Sequence, residues 1–173
     1  MKKVKKVFVF GMFCLFVLVF SGCVSTPVTD ESVASGRHFR NHIFKYVDPS
    51  IPFEEHSFLI NLTNDASFGI TRINNDRFGF LNGTVVILPP GSYSLRFEYH
   101  NISGNEAATT SRFNFLPGHY YYYHGAVNSL TKEVWFMIGD LNSVLEVQVG
   151  RGNDVSPRAV IEGIKASIAR ERK

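Results

Sequence analysis

"SYSLRFEYH", Ser92 to His100, is the stretch on which the fold turns. Tyr93, Leu95, Phe97 and Tyr99 take alternate positions, and Ser94, Arg96 and Glu98 fall between them. A side-chain period of two puts the first set on one face and the second on the other, which is the pattern of a strand half buried in a core. The residues just before it, Leu88-Pro89-Pro90-Gly91, read as a corner. Proline presets φ for the first corner position of a type II turn, and glycine supplies the positive φ required at the second. Leu116-Pro117-Gly118 repeats that chemistry.

Strand signals extend on both sides. "HSFLINL" and "FGITRIN" are short β-branched or aromatic runs separated by "TNDAS". "NNDRFGFLNG" reads as loop, and "TVVIL" as a further strand. After Ser92–His100 come "TTSRFNF", "HYYYYHGAV", "EVWFMI" and "VLEVQV". A short strand is also expected near Ile43 to Val47, ahead of the Asp48-Pro49 breaker. About eight short strands at this spacing predict a mainly β chain, a single antiparallel β-sandwich. Connections this short leave no room for helical crossovers between parallel strands.

One helix is expected at the C-terminus. Ser156 is placed to cap it, Pro157 takes its first position, and Val160, Ile161, Ile164 and Ile168 recur at helical spacing. "RERK" then sets positive charge at the end that the helix dipole favours. The helix is expected to pack on the sheets.

The segment "LPPGSYSLRF" resembles a recurrent element of exported β-sandwich domains of the transthyretin-like or carboxypeptidase-regulatory-like kind, including PEGA-type repeats. That resemblance implies the same sandwich fold and no particular activity.

The N-terminus has a different character. "MKKVKK" is positively charged, and Val7 to Phe20 is an uncharged apolar run. Fourteen residues suit the core of an export signal and fall short of a free-standing span of about 20. Ser21 and Gly22 follow, then Cys23. The combination resembles the leader of bacterial lipoproteins, whose lipobox sets small residues before an obligatory cysteine. Phe20 stands where that family usually carries Leu. The resemblance implies a diacylglyceryl group on the Cys23 thiol, cleavage just before it, and acylation (palmitate) on the mature chain. The cysteine count agrees. The only other cysteine, Cys14, would leave with the leader, so the mature chain could form no internal disulfide. Val24 follows Cys23, where an Asp retains many lipoproteins at the inner membrane, so the outer membrane is the expected address.

Charge excludes one class of partner. Four of the eighteen basic residues lie in the leader and all fifteen acidic residues lie beyond it, so the chain from Cys23 carries a formal −1. The balance leaves no basic patch for tracking phosphates, and no nucleic-acid partner is expected. The rest divides into a signal peptide (1–22), a flexible tether (23–36), the β-sandwich domain (37–155) and a C-terminal amphipathic helix (156–173).

Several residues invite a site. In Tyr120 to Tyr123, strand geometry turns Tyr120 and Tyr122 to one face and Tyr121 and Tyr123 to the other. One pair is expected in the core and the other on an outer face or an edge. A glycan or lipid would be bound, on this alternative reading, against Tyr121, Tyr123 or Trp135. His119 and His124 are an odd number of positions apart, so no shared metal is expected, and no cofactor is assigned. His38 and His42 have zinc-like spacing without the accompanying Glu, and read as a solvated segment. Glu54 and Glu55 are adjacent carboxylates that would diverge. "GRGND", Gly150 to Asp154, lacks the Lys of a phosphate loop and reads as a turn. The sequons at Asn61, Asn82 and Asn101 have no bearing on a bacterial-type lipoprotein. A hydrolytic site would need His119 or His124 to meet a carboxylate such as Asp140, and no Gly-x-Ser-x-Gly elbow or Cys–His pair announces one. No catalytic residue is assigned. The expectation is a non-enzymatic, membrane-anchored envelope protein that contacts an envelope protein or polymer.

Overall fold

A computed structural model describes residues 28–62, 67–77, 83–101, 103–128, 130–149 and 153–173. The leader, Cys23 and the start of the tether lie outside them, as do Asn82 and Gly150. The described chain is mainly β, with several sheets and a C-terminal helix. The strands are β1 (Asn41–Ile43), β2 (Ser57–Asn61), β3 (Phe68–Ile73), β4 (Asp76–Arg77), β5 (Thr84–Leu88), β6 (Gly91–His100), β7 (Glu106–Phe115), β8 (Tyr120–Val127), β9 (Val134–Asp140), β10 (Val147–Val149) and β11 (Asn153–Val155). Helix α1 is Asp30–Ala34, α2 is Pro157–Glu171, and a 3-10 turn covers Phe53–Glu55.

One sheet has the order β1-β5-β2-β8-β9 and a second has β4-β3-β6-β7, while β10 and β11 form a hairpin. The pattern of Ser92–His100 holds in space: Leu95, Phe97 and Tyr99 are buried, and the residues between them are not. Leu95 and Phe97 lie in a core shared by both sheets. Ile70, Ile73 and Phe115 join them from the four-stranded sheet, and Leu59, Val86, Leu88, Tyr121 and Tyr123 from the five-stranded one. The opposite face of the five-stranded sheet presents Phe58, Ile60, Val85, Ile87 and Tyr120 to Val33 of α1 and to Val160, Ile164 and Ile168 of α2. Strands β2 and β5 are therefore buried at every residue. Apolar content on both faces of such strands, as in "TVVIL", marks a sheet covered on both sides. Each of these large side chains, once buried, contributes roughly 1.5–3 kcal/mol.

The expected single antiparallel sandwich is corrected in three respects. First, the five-stranded sheet is mixed, because β1 runs parallel to β5 and β2 parallel to β8. The return from β2 to β8 passes through the other sheet, so no helical crossover is needed. Second, eleven strands are described rather than about eight. The additions are β4, inside the expected loop, and β11, which brings Asn153 and Asp154 of the expected turn into a hairpin with β10. The early strand near Ile43 also lies upstream of its expected place, at Asn41–Ile43. Third, the end of the expected tether is folded. Thr29 and Ser32 form a capping box on α1, and Val33 is fully buried. The guanidinium of Arg170 donates to the carbonyls of Ser35 and Gly36, both at 2.8 Å.

The two Pro-Gly corners carry the chain between sheets. At Leu116–His119 the expected turn forms: the His119 N–H donates to the Leu116 carbonyl at 3.3 Å, and Gly118 has φ +70°. Gly91 opens β6 directly with φ +150°, and its bend is closed by the Tyr93 hydroxyl donating to the Pro89 carbonyl at 2.9 Å. The C-terminal helix matches its reading, since the Ser156 side chain accepts from the Ala159 N–H and Pro157 sits at the first turn. Among the described residues no helix is long and apolar enough to cross a membrane.

Candidate functional site

The tyrosine run lies on β8, the fourth strand of the five-stranded sheet, so both of its faces meet a core. Tyr120 stacks on Phe58 with centroids 4.6 Å apart and planes 10° from parallel. Burial lifts the Tyr120 hydroxyl to a pKa of about 12. Tyr121 sits edge-on to Phe115, and its oxygen accepts from the Leu116 N–H at 3.0 Å. Tyr123 is buried, and its hydroxyl is held up in pKa by desolvation despite a bond to the backbone at Ile70. The half-buried ring of Tyr122 lies across Gly139 of β9, where a Cβ would come within 2.4 Å of it. Neither pair lies on an outer face, which corrects the expectation that one would. Tyr121 and Tyr123 are packing residues and are not presented to a ligand.

Trp135 is placed differently. It is 64% exposed on β9, and Met137, two residues on, is 53% exposed on the same face. Phe136 and Ile138, which alternate with them, pack into the shared core. Across the ladder Trp135 pairs with Ala126 and Met137 with His124. Leu130, in the connecting hairpin, is 91% exposed. In the sheet order β9 is an edge strand, and β7 is the edge of the other sheet. Between these two edges runs a groove of about 230 Å³ lined by Phe97, Phe113, Val134 and Phe136. Sequence reasoning singled out Trp135 and passed over Met137 and Leu130. The odd positions of "EVWFMI" carried the signal for Met137, but alternation alone does not say which face is covered.

His119 and Asp140, distant in sequence, do converge. His119 Nδ1 is 2.8 Å from Asp140 Oδ2, and both side chains are partly exposed. The other Asp140 oxygen accepts from the Asn142 N–H at 2.9 Å, and the His119 ring lies against Tyr121. The pair supplies a base and its orienting carboxylate, but no nucleophile is bonded to it among the described residues. The nearby hydroxyl of Ser57 donates instead to the Leu116 carbonyl at 2.8 Å. The dyad thus fastens the Pro117-Gly118 corner to the end of β9. His124 is partly buried on β8.

His42 is not solvated, contrary to expectation. Its side chain is 3% exposed, with Nε2 2.9 Å from Ser167 Oγ and Nδ1 against the Glu171 carboxylate. The Ser167 hydroxyl also lies 2.7 Å from the Ile164 carbonyl. This cluster ties β1 to the last turns of α2. Arg37, Arg40 and Arg170 border the shallow pocket beside it. His38 is exposed. Glu54 and Glu55 lie in the 3-10 turn and are exposed. Among the described residues no group of three or more His, Cys, Asp or Glu could hold a metal ion.

The sequence matches no protein-family model and no curated protein.

Proposed function

We propose that this chain is an envelope lipoprotein, held to the membrane by a lipid on Cys23, whose β domain binds a macromolecular partner through the exposed face of β9. The observation that carries the reading is the pairing of Trp135 and Met137 on an edge strand. Large apolar side chains gathered in the open suit a protein interface, where Trp and Met are over-represented. An edge strand adds unpaired backbone groups that an extended segment of a partner could engage. We read the two sheets as an open sandwich whose shared core holds β9 rigid from behind. The lipobox-type leader supports the anchor, and two or three acyl chains would make it stable where one would not. The outer membrane remains the proposed address.

The test uses cells making the full chain with a photo-crosslinking amino acid at position 135 or, as a control, at exposed Arg158 on α2. A discrete cross-linked species from position 135 alone, lost in Met137→Glu, is the expected result. Equal adducts from both positions would overturn the interface. Separately, Cys23→Ser is expected to move the protein out of the membrane fraction, and retention there would overturn the anchor.

A further inference from the structure

A cavity of about 300 Å³ opens between the C-terminal half of α2 and the five-stranded sheet. Its lining is mostly apolar. The stacked rings of Phe58 and Tyr120 line it, with Phe53 edge-on to Phe58 at 5.8 Å. Ile168 and Ala169 contribute from the helix. This places an aromatic and aliphatic slot at the lower end of the size range of small-molecule sites.

Charged groups border this slot. Lys165 comes from α2, Arg172 from its C-cap, and Glu54 from the 3-10 turn. The Arg172 guanidinium lies 4.4 Å from the centre of the Phe53 ring, so the cation rests against the apolar lining. Among the described residues no carboxylate pairs with it. Lys165 meets Glu162 at 3.5 Å on the exposed helix surface, a contact that contributes little and is easily exchanged. With Lys165 shared with Glu162, Arg172 is the cation left to meet a single negative charge on a ligand, and Lys165 can turn from its exposed partner to join it. Tyr120 adds no charge, since a phenol is protonated at neutral pH.

We propose that this cavity binds a medium-chain carboxylate, with the chain against Phe58 and Tyr120 and the carboxylate between Lys165 and Arg172. Allowing the roughly 30 Å³ that a water occupies in the liquid for each heavy atom, the slot takes about ten of them. Decanoate is close to that size. The inference does not depend on the lipid at Cys23 or on the β9 interface, which lie elsewhere in the chain.

The experiment labels the full chain in the cells that make it with a diazirine analogue of decanoate and maps the adducts by peptide mass spectrometry. Saturable labelling is expected on the peptide holding Ile168 and Ala169 or on the one holding Phe53, with competition by excess decanoate. Labelling should fall about tenfold in Lys165→Gln/Arg172→Gln, as charge-assisted contacts are lost. It should fall likewise in Ala169→Trp, which fills the slot from an exposed position without entering the core. Competition by uncharged decanol as effective as that by decanoate would overturn the proposal. So would labelling that never saturates, labelling unchanged by the variants, or transfer only from a diazirine phospholipid.

Discussion

The carboxylate of Asp30 accepts two hydrogen bonds from Ser156, one from its N–H at 2.9 Å and one from its hydroxyl at 2.6 Å. The same hydroxyl oxygen accepts from the Ala159 N–H and caps α2. One side chain near the N-terminal end of the described residues thus steadies the start of the C-terminal helix. The bond from the Ser156 hydroxyl, then that from its backbone, holds the Asp30 carboxyl below its usual value. A folded-state value below the unfolded one gives stability that is present above the unfolded pKa, about 3.9, and lost as pH falls through the folded pKa. Asp30→Ala is therefore expected to melt below wild type at pH 7, with the two melting curves converging toward pH 3. A gap that does not change with pH would place the effect elsewhere.

Gly163 makes a second prediction about the same helix pair. A Cβ there would stand 2.2 Å from the Val33 carbonyl oxygen and 2.6 Å from Cε2 of Phe39. Alanine is the better helix former by about 0.8–1.0 kcal/mol. Overpacking against a fixed backbone costs about 1–3 kcal/mol, and it should win. Gly163→Ala is expected to lower the midpoint of chemical unfolding, and a raised midpoint would show that α1 can move away.

What was legible in the sequence follows from how local each signal is. The strand at Ser92–His100 and the helix cap at Ser156 depend on near neighbours, and both were readable. Ile70 and Ile73 share the buried face although they are three apart, because the register with β6 shifts between Ile70 and Arg72. A bulge of this kind breaks alternation without leaving a mark in composition. Helix α1 was missed because its five residues are too few for a period, and Thr29, Ser32 and Asp30 look like linker residues until the cap and the bond to Ser156 are seen. The burial of Tyr121 and Tyr123 depends on β2 running parallel to β8, a pairing of residues some sixty positions apart. The meeting of His119 with Asp140 depends likewise on β8 pairing with β9.

His100 reports on the charged end of β6. Glu98 first and Glu106 second raise its pKa, through contacts of 3.4 and 3.2 Å. A raised folded-state value gives stability that is complete below the unfolded pKa, about 6.5, and lost as pH rises through the folded one. In an NMR titration the His100 ring should titrate above a free histidine. Its midpoint should fall in Glu106→Gln and fall further in Glu98→Gln. Equal midpoints in all three proteins would show that the two carboxylates do not hold the ring in solution.

Tyr123 and Trp135 make opposite predictions, and the contrast separates packing from contact. Tyr123 stands in the core shared by the two sheets, so Tyr123→Ala should cost about 3–5 kcal/mol, the range for deleting a buried aromatic ring. Trp135 is 64% exposed on an edge strand, so Trp135→Ser should leave stability within about 0.5 kcal/mol. If the face of β9 is where a partner sits, the Trp135 variant should fractionate as the wild type does, fold normally and lose the cross-linked species formed through a probe at position 137. Chemical unfolding, membrane fractionation and cross-linking on one set of strains measure all three. A stable, membrane-bound Trp135→Ser protein that still cross-links through a probe at position 137 would show that the indole is not the anchor of the interface. A Trp135→Ser protein that unfolds would show that the ring is needed for stability, and its exposure would then not signal a partner.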